Sequence, residues 1–239
     1  MHIFDRIYNP VVAFIETDAD VTTFHNIRTS RDKHLSNITR IERVTRNKTW
    51  AFSLLPKIKS VLKERNYPKI LPNTAVPEYQ CIQHIKYEHV QNVAKTNPFK
   101  TKYFAWIDIG LFRDIVDTKH EKFKLFLPPD MDLSRVAYGE VTPAQNKTNE
   151  EIFRGNLFWV CGCFFIGARP TVLRWTDEYK RYTEKFLNEG LANSDQRVIF
   201  AMQKNEQPSM KIQVYKARNK ANPWFDLAYQ CRDVGMSLL

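Results

Sequence analysis

The chain has 239 residues, 43% of them hydrophobic and 13% aromatic, which is enough for a sizeable core and excludes a disordered protein. Lys and Arg (36) outnumber Asp and Glu (26), and the resulting net charge of +10 favours an anionic partner. No run of about 18 apolar residues occurs, so no membrane span is expected in this chain. Without a repeat or an obvious linker, residues 1–239 are predicted to form a single domain.

Hydrophobic periodicity predicts strands and helices that alternate through the first half of the chain. Strands are predicted over Val11–Ile15, Ile38–Val44, Tyr103–Ile107, Phe123–Leu127, Arg135–Val141, Leu157–Gly167 and Lys211–Tyr215. Helices are predicted from Asp18 to Ile27, Thr49 to Lys63, Pro77 to Ala94, Pro170 to Glu189 and Asp195 to Lys204. This alternation predicts an α/β fold with a largely parallel central sheet flanked by helices. In such sheets, ligands bind beyond the carboxyl ends of the strands.

Several common catalytic motifs are missing from the sequence. It contains no Gly-x-Gly-x-x-Gly, no P-loop, no Gly-x-Ser-x-Gly and no His-Glu-x-x-His. Dinucleotide oxidoreduction, P-loop phosphoryl transfer and serine hydrolysis therefore lose support. Nucleic acid ranks last among the anionic partners, because no recognition motif accompanies the positive charge.

Asp108 is the strongest candidate for a functional residue. It directly follows the apolar run Tyr103–Ile107 and precedes Gly110 by two positions, so its carboxylate lies where a buried strand leaves the core. There it could ligate Mn²⁺ or Mg²⁺, which would neutralise a diphosphate leaving group, or accept hydrogen bonds from a ribose. The structural alternative is an Asp that only caps the turn after the strand.

Other candidates permit both a structural and a functional interpretation. Asp195 and Gln196 are predicted at the start of a helix. The structural interpretation is that Asp195 complements the helix dipole. The functional interpretation is that it acts as a base or stabilises positive charge at an anomeric carbon. Gly162, inside a strand, marks either the close approach of a ligand or tight packing of a helix. The basic residues that could bind a diphosphate, unless they are simply solvated, are Lys86, Arg113 and Lys220.

Two Asp-x-Asp pairs have simpler structural explanations. Asp18 and Asp20 lie where a helix is predicted to begin, and such residues are common helix caps. Asp130 and Asp132 lie in a loop that follows two prolines. Both pairs are therefore predicted to be structural.

The cysteines and the glycosylation sequons give information about the cellular compartment of the protein. No Cys-x-x-Cys pair is present, and buried free thiols are predicted, although an even cysteine count also permits disulfides. The cysteines are Cys81, Cys161, Cys163 and Cys231. Asn-x-Thr sequons begin at Asn37, Asn47 and Asn146, whereas roughly one or two would arise by chance. This favours a secretory-pathway lumen such as the Golgi over the cytoplasm.

Several blocks of the chain resemble the HtrL/YibB family in content, order and spacing. The most specific block is Asn97–Gly110, with the sequence NPFKTKYFAWIDIG, followed by Phe112, Arg113 and Asp114. The other blocks are Pro77-Glu78-Tyr79 with Lys86 on the same helix, Gly162–Gly167, and Ser194-Asp195-Gln196. The resemblance extends from about Pro10 to Tyr215.

The resemblance implies a GT-A-like, Rossmann-type glycosyltransferase that moves a sugar from a nucleotide-sugar donor to a glycan or another acceptor. A catalytically inactive relative that binds a glycan or a nucleotide is the alternative. By position in the motifs, catalytic roles are implied for Asp108 and Asp195. Donor-binding roles are implied for Tyr79, Lys86, Trp106, Gly110, Arg113, Gly162 and Gln196.

Two departures from the family pattern qualify these expectations. Gly110 stands where the related Asp-x-Asp motif has its second carboxylate, so Asp108 alone would have to bind a metal, and basic side chains could neutralise the diphosphate instead. Family members usually have another strand and helix before the strand that matches Val11–Ile15. The resemblance therefore implies an N-terminally truncated chain whose sheet lacks one strand.

Overall fold

The computed structural model describes residues 2–113, 122–218 and 222–237. The α-helices are α1 (Asp18–Thr29), α2 (Trp50–Ser53), α3 (Leu55–Leu62), α4 (Pro77–Thr96), α5 (Asn149–Arg154), α6 (Arg169–Asn188), α7 (Asp195–Asn205) and α8 (Asp226–Ser237). The strands are β1 (Val11–Ile15), β2 (Thr39–Arg43), β3 (Tyr103–Ile107), β4 (Val136–Glu140), β5 (Val160–Ala168) and β6 (Ile212–Tyr215). Short 3₁₀ helices cover His2–Asp5, Lys33–Ile38 and Arg46–Lys48.

The strands form two small sheets in a mixed α/β fold. One sheet has four strands in the order β3-β5-β4-β6, and the other contains only β1 and β2. β5 runs antiparallel to both of its neighbours, whereas β4 pairs with β6 and β1 pairs with β2 in parallel. The expectation of a largely parallel central sheet is therefore wrong for the four-stranded sheet.

Strand direction follows from what connects the strands. The twelve-residue helix α1 lies between β1 and β2 and provides the crossover that a parallel pair requires. Between β4 and β5 the only helix is α5, which has six residues, and β5 returns antiparallel beside β4. The alternation of strands and helices in the first half of the chain therefore did not predict the strand directions in the second half.

Alternating side chains of the central strands face two different cores. Tyr138 and Phe165 pack with residues of α4, α6 and α7, including Tyr87 and Trp175. Their neighbours point the other way and join a second core with residues of α1 and α8. Residues of this second core include Ala137, Phe164, Ile166, Phe24 and Leu227. Both faces of the sheet are therefore covered, as expected for an α/β fold.

The two longest helices begin and end at the positions that the sequence indicates. Pro77 opens α4, where the missing N–H of proline costs no helical hydrogen bond, and Asn97 ends it in the left-handed conformation with φ 42°. α6 likewise has a proline in its first turn and is followed by Gly190 at φ 75°. None of the helices in the described ranges combines the length and the apolar character needed to cross a membrane.

Two predicted elements differ from the structure. The helix expected from Thr49 to Lys63 is divided into α2 and α3, because Pro56 in the first turn of α3 cannot continue the preceding helix. The strand expected at Phe123–Leu127 is reduced to a single parallel bridge between Phe123 and Ile7.

The cysteines follow the expectation only in part. Cys81 and Cys231 are buried free thiols, as predicted. Cys161 and Cys163 instead form a disulfide, so the expectation is wrong for this pair. Alternate residues of a strand lie on the same face, which brings these two sulfurs together on either side of Gly162.

Candidate functional site

A cavity of about 1590 Å³ opens between β1 and β3. Side chains of these two strands, of α4 and of the segments around Ile7 and Leu125 line it. Its walls are apolar along most of β1 and β3, and polar groups gather where β3 ends. These polar groups include Gln83, Lys86, Asp108 and Arg113.

Asp108 occupies the position predicted from the sequence, directly after β3. Its side chain is 39% exposed and lines the cavity. Its backbone N–H donates to the carbonyl of Cys163 at 2.9 Å, and the indole N–H of Trp106 donates to its carboxylate. Burial in this recess raises the pKa of Asp108 above its usual value, although the nearby Lys86 ammonium and Trp106 act in the opposite direction.

Lys86 is buried between Asp108 and Asp195. Its ammonium lies 3.1 Å from the Asp195 carboxylate and 3.9 Å from that of Asp108, and it also donates to the Gly162 carbonyl (2.8 Å) and to Gln83 (3.1 Å). Burial of the ammonium opposes protonation, but the two carboxylates outweigh it and raise the pKa of Lys86. Because an ammonium has three protons, its near contacts use all of them.

Asp195 lies behind Lys86, at the start of α7. Only 1% of the residue is exposed, and its carboxylate accepts a hydrogen bond from the Tyr87 hydroxyl at 3.2 Å. A side chain at Gly162 would bring its Cβ into collision with the same carboxylate. The absence of a side chain at Gly162 therefore allows α7 to pack its acidic residue against β5, which is the packing interpretation of this glycine.

A chain of buried aromatic residues extends from Asp195 into the core. Trp175 donates to the Tyr138 hydroxyl at 3.0 Å, and Tyr138 lies 3.5 Å from the Tyr87 hydroxyl, which donates to Asp195. Burial raises the pKa of Tyr87 well above its ordinary value, so its hydroxyl remains a donor. Sequence analysis did not identify Tyr87. Its position beside Lys86, on a helix that carries a candidate residue, was the available signal.

A profile of one protein family, described as "Bacterial protein of unknown function (HtrL_YibB)", matches residues 5–232. The chain belongs to the HtrL/YibB family. Comparisons with curated proteins and with solved structures found no match. The cavity and the polar groups around Asp108 and Lys86 lie inside the matched range.

Two other predicted residues of this HtrL/YibB chain, Arg113 and Gly110, line the polar end of the cavity, and Tyr79 lies near the same charged groups. Arg113 lines the cavity, and its guanidinium lies 5.3 Å from the centre of the Phe225 ring. Gly110 also lines it, and a Cβ added there would meet a guanidinium nitrogen of Arg113 at 4.0 Å, an ordinary van der Waals distance. Tyr79 is half-buried. Its burial and the negative charge of Asp195 both raise the pKa of its hydroxyl.

The remaining predicted residues are placed differently. Gln196 donates to the carbonyl of Val160 at 2.9 Å and so joins α7 to β5. Among the described residues that line the cavity, neither Asp195 nor Gly162 is present. Asp114 and Lys220 lie outside the described residues. The catalytic role predicted for Asp195 stays a prediction, and its burial favours a role in positioning Lys86.

The two Asp-x-Asp pairs lie in a helix start and in a turn. Asp18 and Asp20 lie in the first turn of α1, but its N-cap is Thr17, so the expectation that these aspartates cap the helix is wrong. Asp132 accepts hydrogen bonds from the backbone and hydroxyl of Ser134, at 2.9 and 2.7 Å, and so fixes a turn.

The donor atoms around Asp108 fit a divalent cation poorly. Asp108 offers one carboxylate, Gly110 offers no side-chain oxygen, and the Lys86 ammonium lies 3.9 Å from the Asp108 carboxylate. In the described parts of the HtrL/YibB chain, no group of three His, Cys, Asp or Glu side chains could hold a metal ion. Mg²⁺ is usually held by one or two carboxylates together with substrate phosphates and water, and here the Lys86 ammonium already neutralises part of the charge of the one carboxylate available.

Proposed function

We propose that this HtrL/YibB chain is a glycosyltransferase, and that its nucleotide-sugar donor binds at the polar end of the cavity between β1 and β3. The observation that carries the proposal is the Asp108 carboxylate, which faces a cavity at the end of a strand with a paired Lys86 behind it. The cavity is also spacious enough for a nucleotide sugar.

In the proposed complex, Asp108 accepts hydrogen bonds from the ribose and Arg113 lies beside the diphosphate. Because Gly110 has no side chain, the phosphate groups could approach the backbone there beside the Arg113 guanidinium. Arg113 is preferred to Lys86 as the diphosphate partner, because Lys86 already has partners for its three protons. Asp195 then acts through Lys86, which it holds in place behind Asp108.

The reaction would exchange one bond at the anomeric carbon for another. The bond to the diphosphate oxygen breaks and its electron pair leaves with the nucleoside diphosphate. A hydroxyl of the acceptor forms the new glycosidic bond and loses its proton to a base. Positive charge near the leaving diphosphate, here from Arg113, lowers the barrier to this step.

An Asp108→Asn variant tests the proposal. Nucleotide sugars are screened by thermal shift with and without Mn²⁺, and transfer or donor hydrolysis is then measured for the donors that stabilise the protein. We expect at least a tenfold loss of kcat/KM, because the amide replaces a charged acceptor and leaves Lys86 with one carboxylate fewer. Asp18→Asn is the matched control, since the Asp18 side chain is 95% exposed. Equal activity of Asp108→Asn and wild type would remove Asp108 from the mechanism.

A second candidate function is donor or glycan binding without turnover. Its support is the burial of Asp195, which withdraws one of the two predicted catalytic carboxylates from the cavity that Asp108 lines. Nucleotide-sugar binding that Asp108→Asn weakens, with no transfer or hydrolysis of any donor, would favour this alternative.

A further inference from the structure

Trp224, in the turn before α8, differs from the other tryptophans of the chain. It is 38% exposed, and no acceptor for its indole N–H is present within the described residues. Each of the other four tryptophans donates its indole N–H to a side-chain oxygen of the protein. These four are Trp50, Trp106, Trp159 and Trp175. Trp224 therefore presents both an aromatic surface and a hydrogen-bond donor to a ligand.

The Trp224 ring is supported by its neighbours in the fold. Its centre lies 5.2 Å from the centre of the Phe158 ring, and the two planes are inclined by 39°. The Arg197 guanidinium lies 5.4 Å from the centre of the Phe158 ring and donates to the Ser194 hydroxyl (3.0 Å) and the Asn156 carbonyl (2.7 Å). Single exposed apolar residues are common on protein surfaces. A ring held in this way, however, loses little further freedom when a ligand binds.

The turn that carries Trp224 lies beside the candidate donor site. The Trp224 carbonyl oxygen lies 3.3 Å from Sγ of Cys163, and the Cys163 carbonyl accepts the backbone N–H of Asp108 at 2.9 Å. The next residue, Phe225, lines the cavity and contacts the Arg113 guanidinium. Trp224 itself is not among the described residues that line the cavity. Its exposed surface therefore lies outside the cavity, next to the place proposed for the diphosphate.

The order of the groups in a nucleotide sugar indicates which ligand this surface meets. In the proposed complex, the ribose contacts Asp108 and the diphosphate lies beside Arg113. The base is attached to the ribose and the transferred sugar to the diphosphate, so the sugar and not the base follows Arg113. Trp224 adjoins the Arg113 side through Phe225. An acceptor that approaches the transferred sugar from outside the cavity would reach the exposed face of Trp224.

We propose that Trp224 binds a pyranose ring of the acceptor glycan, an inference that rests on the proposed glycosyltransferase function. One face of a pyranose consists mainly of C–H groups, which pack favourably on the electron-rich face of an aromatic ring. The hydroxyl groups around the pyranose provide acceptors for the indole N–H. A nucleobase also stacks on an indole, but the base lies at the other end of the donor from Arg113.

Glycan binding by two Trp224 variants tests the proposal. An array of defined bacterial and animal oligosaccharides is screened with the full chain, without nucleotide and with UDP or GDP. The Kd of the best-bound oligosaccharide is then measured in solution. Trp224→Ala should raise this Kd at least tenfold, because it removes both the ring and the N–H donor. Trp224→Phe keeps a ring and should raise the Kd by about threefold or less.

Trp224→Phe also provides a readout that a purely structural role would not affect. A bound glycan should shift the tryptophan fluorescence of the wild type to shorter wavelength, because it shields an exposed indole from water. The shift should be absent in Trp224→Phe, although this variant still binds the glycan. Circular dichroism confirms that the variants are folded before binding is compared.

Leu133→Ala is the matched control. The Leu133 side chain is 47% exposed, and its residue lies beside the start of α6, where its carbonyl accepts from the Thr171 hydroxyl. The variant removes a similarly exposed apolar side chain at a distance from the polar end of the cavity. It should leave the Kd of the glycan unchanged.

Three results would overturn the proposal. No oligosaccharide of the array binds, Trp224→Ala binds the glycan like the wild type, or Trp224→Ala weakens nucleotide binding as strongly as glycan binding. The last result would assign the ring to the donor base. Failure of the proposed function is a separate outcome, because hydrolysis of a donor by the wild type needs only water as acceptor. Glycan binding that depends on Trp224, without hydrolysis or transfer of any donor, would remove the transferase function but retain the glycan site.

Discussion

Lys86 is a buried residue that contacts several side chains and backbone groups of the candidate site. The Lys86 side chain is 2% exposed and the side chain of its partner Asp195 is 1% exposed, so both charged groups are shielded from water. Desolvation of such a pair is costly, and the attraction between the partners compensates for it only while both are present. The pair is therefore a weak source of net stability but a strong constraint on its neighbours.

Removal of the ammonium should reveal this constraint. We expect Lys86→Met to lower the free energy of unfolding by about 3–5 kcal/mol, because Asp195 would remain buried without its partner. The control is Lys59→Met, which breaks the Lys59–Glu78 ion pair (2.7 Å) between half-exposed side chains. It should cost about 1 kcal/mol or less. Urea denaturation measures both, and equal losses would show that the buried pair imposes no such constraint.

At the scale of elements, Gly162 determines how closely α7 can approach β5. The Asp195 carboxylate fills the space where a side chain at Gly162 would lie, and Lys86 and Tyr87 hold that carboxylate in position. Because of these two contacts, the Asp195 carboxylate cannot move aside without losing a partner. The strand and the helix are thus fitted to each other at this glycine.

Gly162→Ala should therefore destabilise the folded protein, although it adds only one methyl group. We expect a loss of about 1–3 kcal/mol in the free energy of unfolding, from overpacking against Asp195. Gly110→Ala adds the same methyl group where its nearest neighbour lies at an ordinary van der Waals distance of 4.0 Å, and should change the free energy of unfolding by no more than about 0.5 kcal/mol. Thermal and urea unfolding of the two variants test this, and a Gly162→Ala protein as stable as Gly110→Ala would contradict it.

Some elements were predictable from the sequence because their signals are local. Pro77 and the Asn97-Pro98 pair bound α4, and the apolar run before Asp108 correctly placed this residue at the end of β3 on a cavity. Strand direction was not predictable, because it depends on how β5 returns beside β4.

Parts of the site also depend on tertiary contacts that no spacing in the sequence reveals. The burial of Asp195, its contact with Tyr87 and its fit against Gly162 join three separate elements. The disulfide between Cys161 and Cys163 was permitted by the even cysteine count but was not the preferred prediction, although the two residues share one strand face. Sequence analysis identified residues on these elements but could not separate those that face the cavity from those that lie behind it.

At the scale of the whole molecule, two buried histidines should make the fold sensitive to acid. Burial lowers the pKa of His84 and of His89 from 6.5 to about 4. His84 shares a hydrogen bond of 2.6 Å with the Tyr179 hydroxyl, and His89 stacks on Phe14 of β1 with ring centres 3.9 Å apart. Between pH 6.5 and 4, the unfolded chain takes up protons at these positions and the folded chain does not.

The free energy of unfolding should consequently fall as the pH is lowered through this interval, by up to about 3 kcal/mol for each histidine. Urea denaturation at pH 7 and at pH 4.5 measures the change. His89→Gln, which removes one of the two groups, should reduce the difference between the two pH values. Equal stability of the wild type at both pH values would show that neither histidine is kept neutral by the fold.

Helix α4 connects the two ends of the cavity. It carries Lys86 behind the polar end and Ile85, Val90 and Val93 along the apolar walls. A ligand that displaced α4 at one end of the cavity would therefore also change the environment of the other end. Any coupling of this kind is reciprocal, so ligands at the two ends would alter each other's affinity by the same factor.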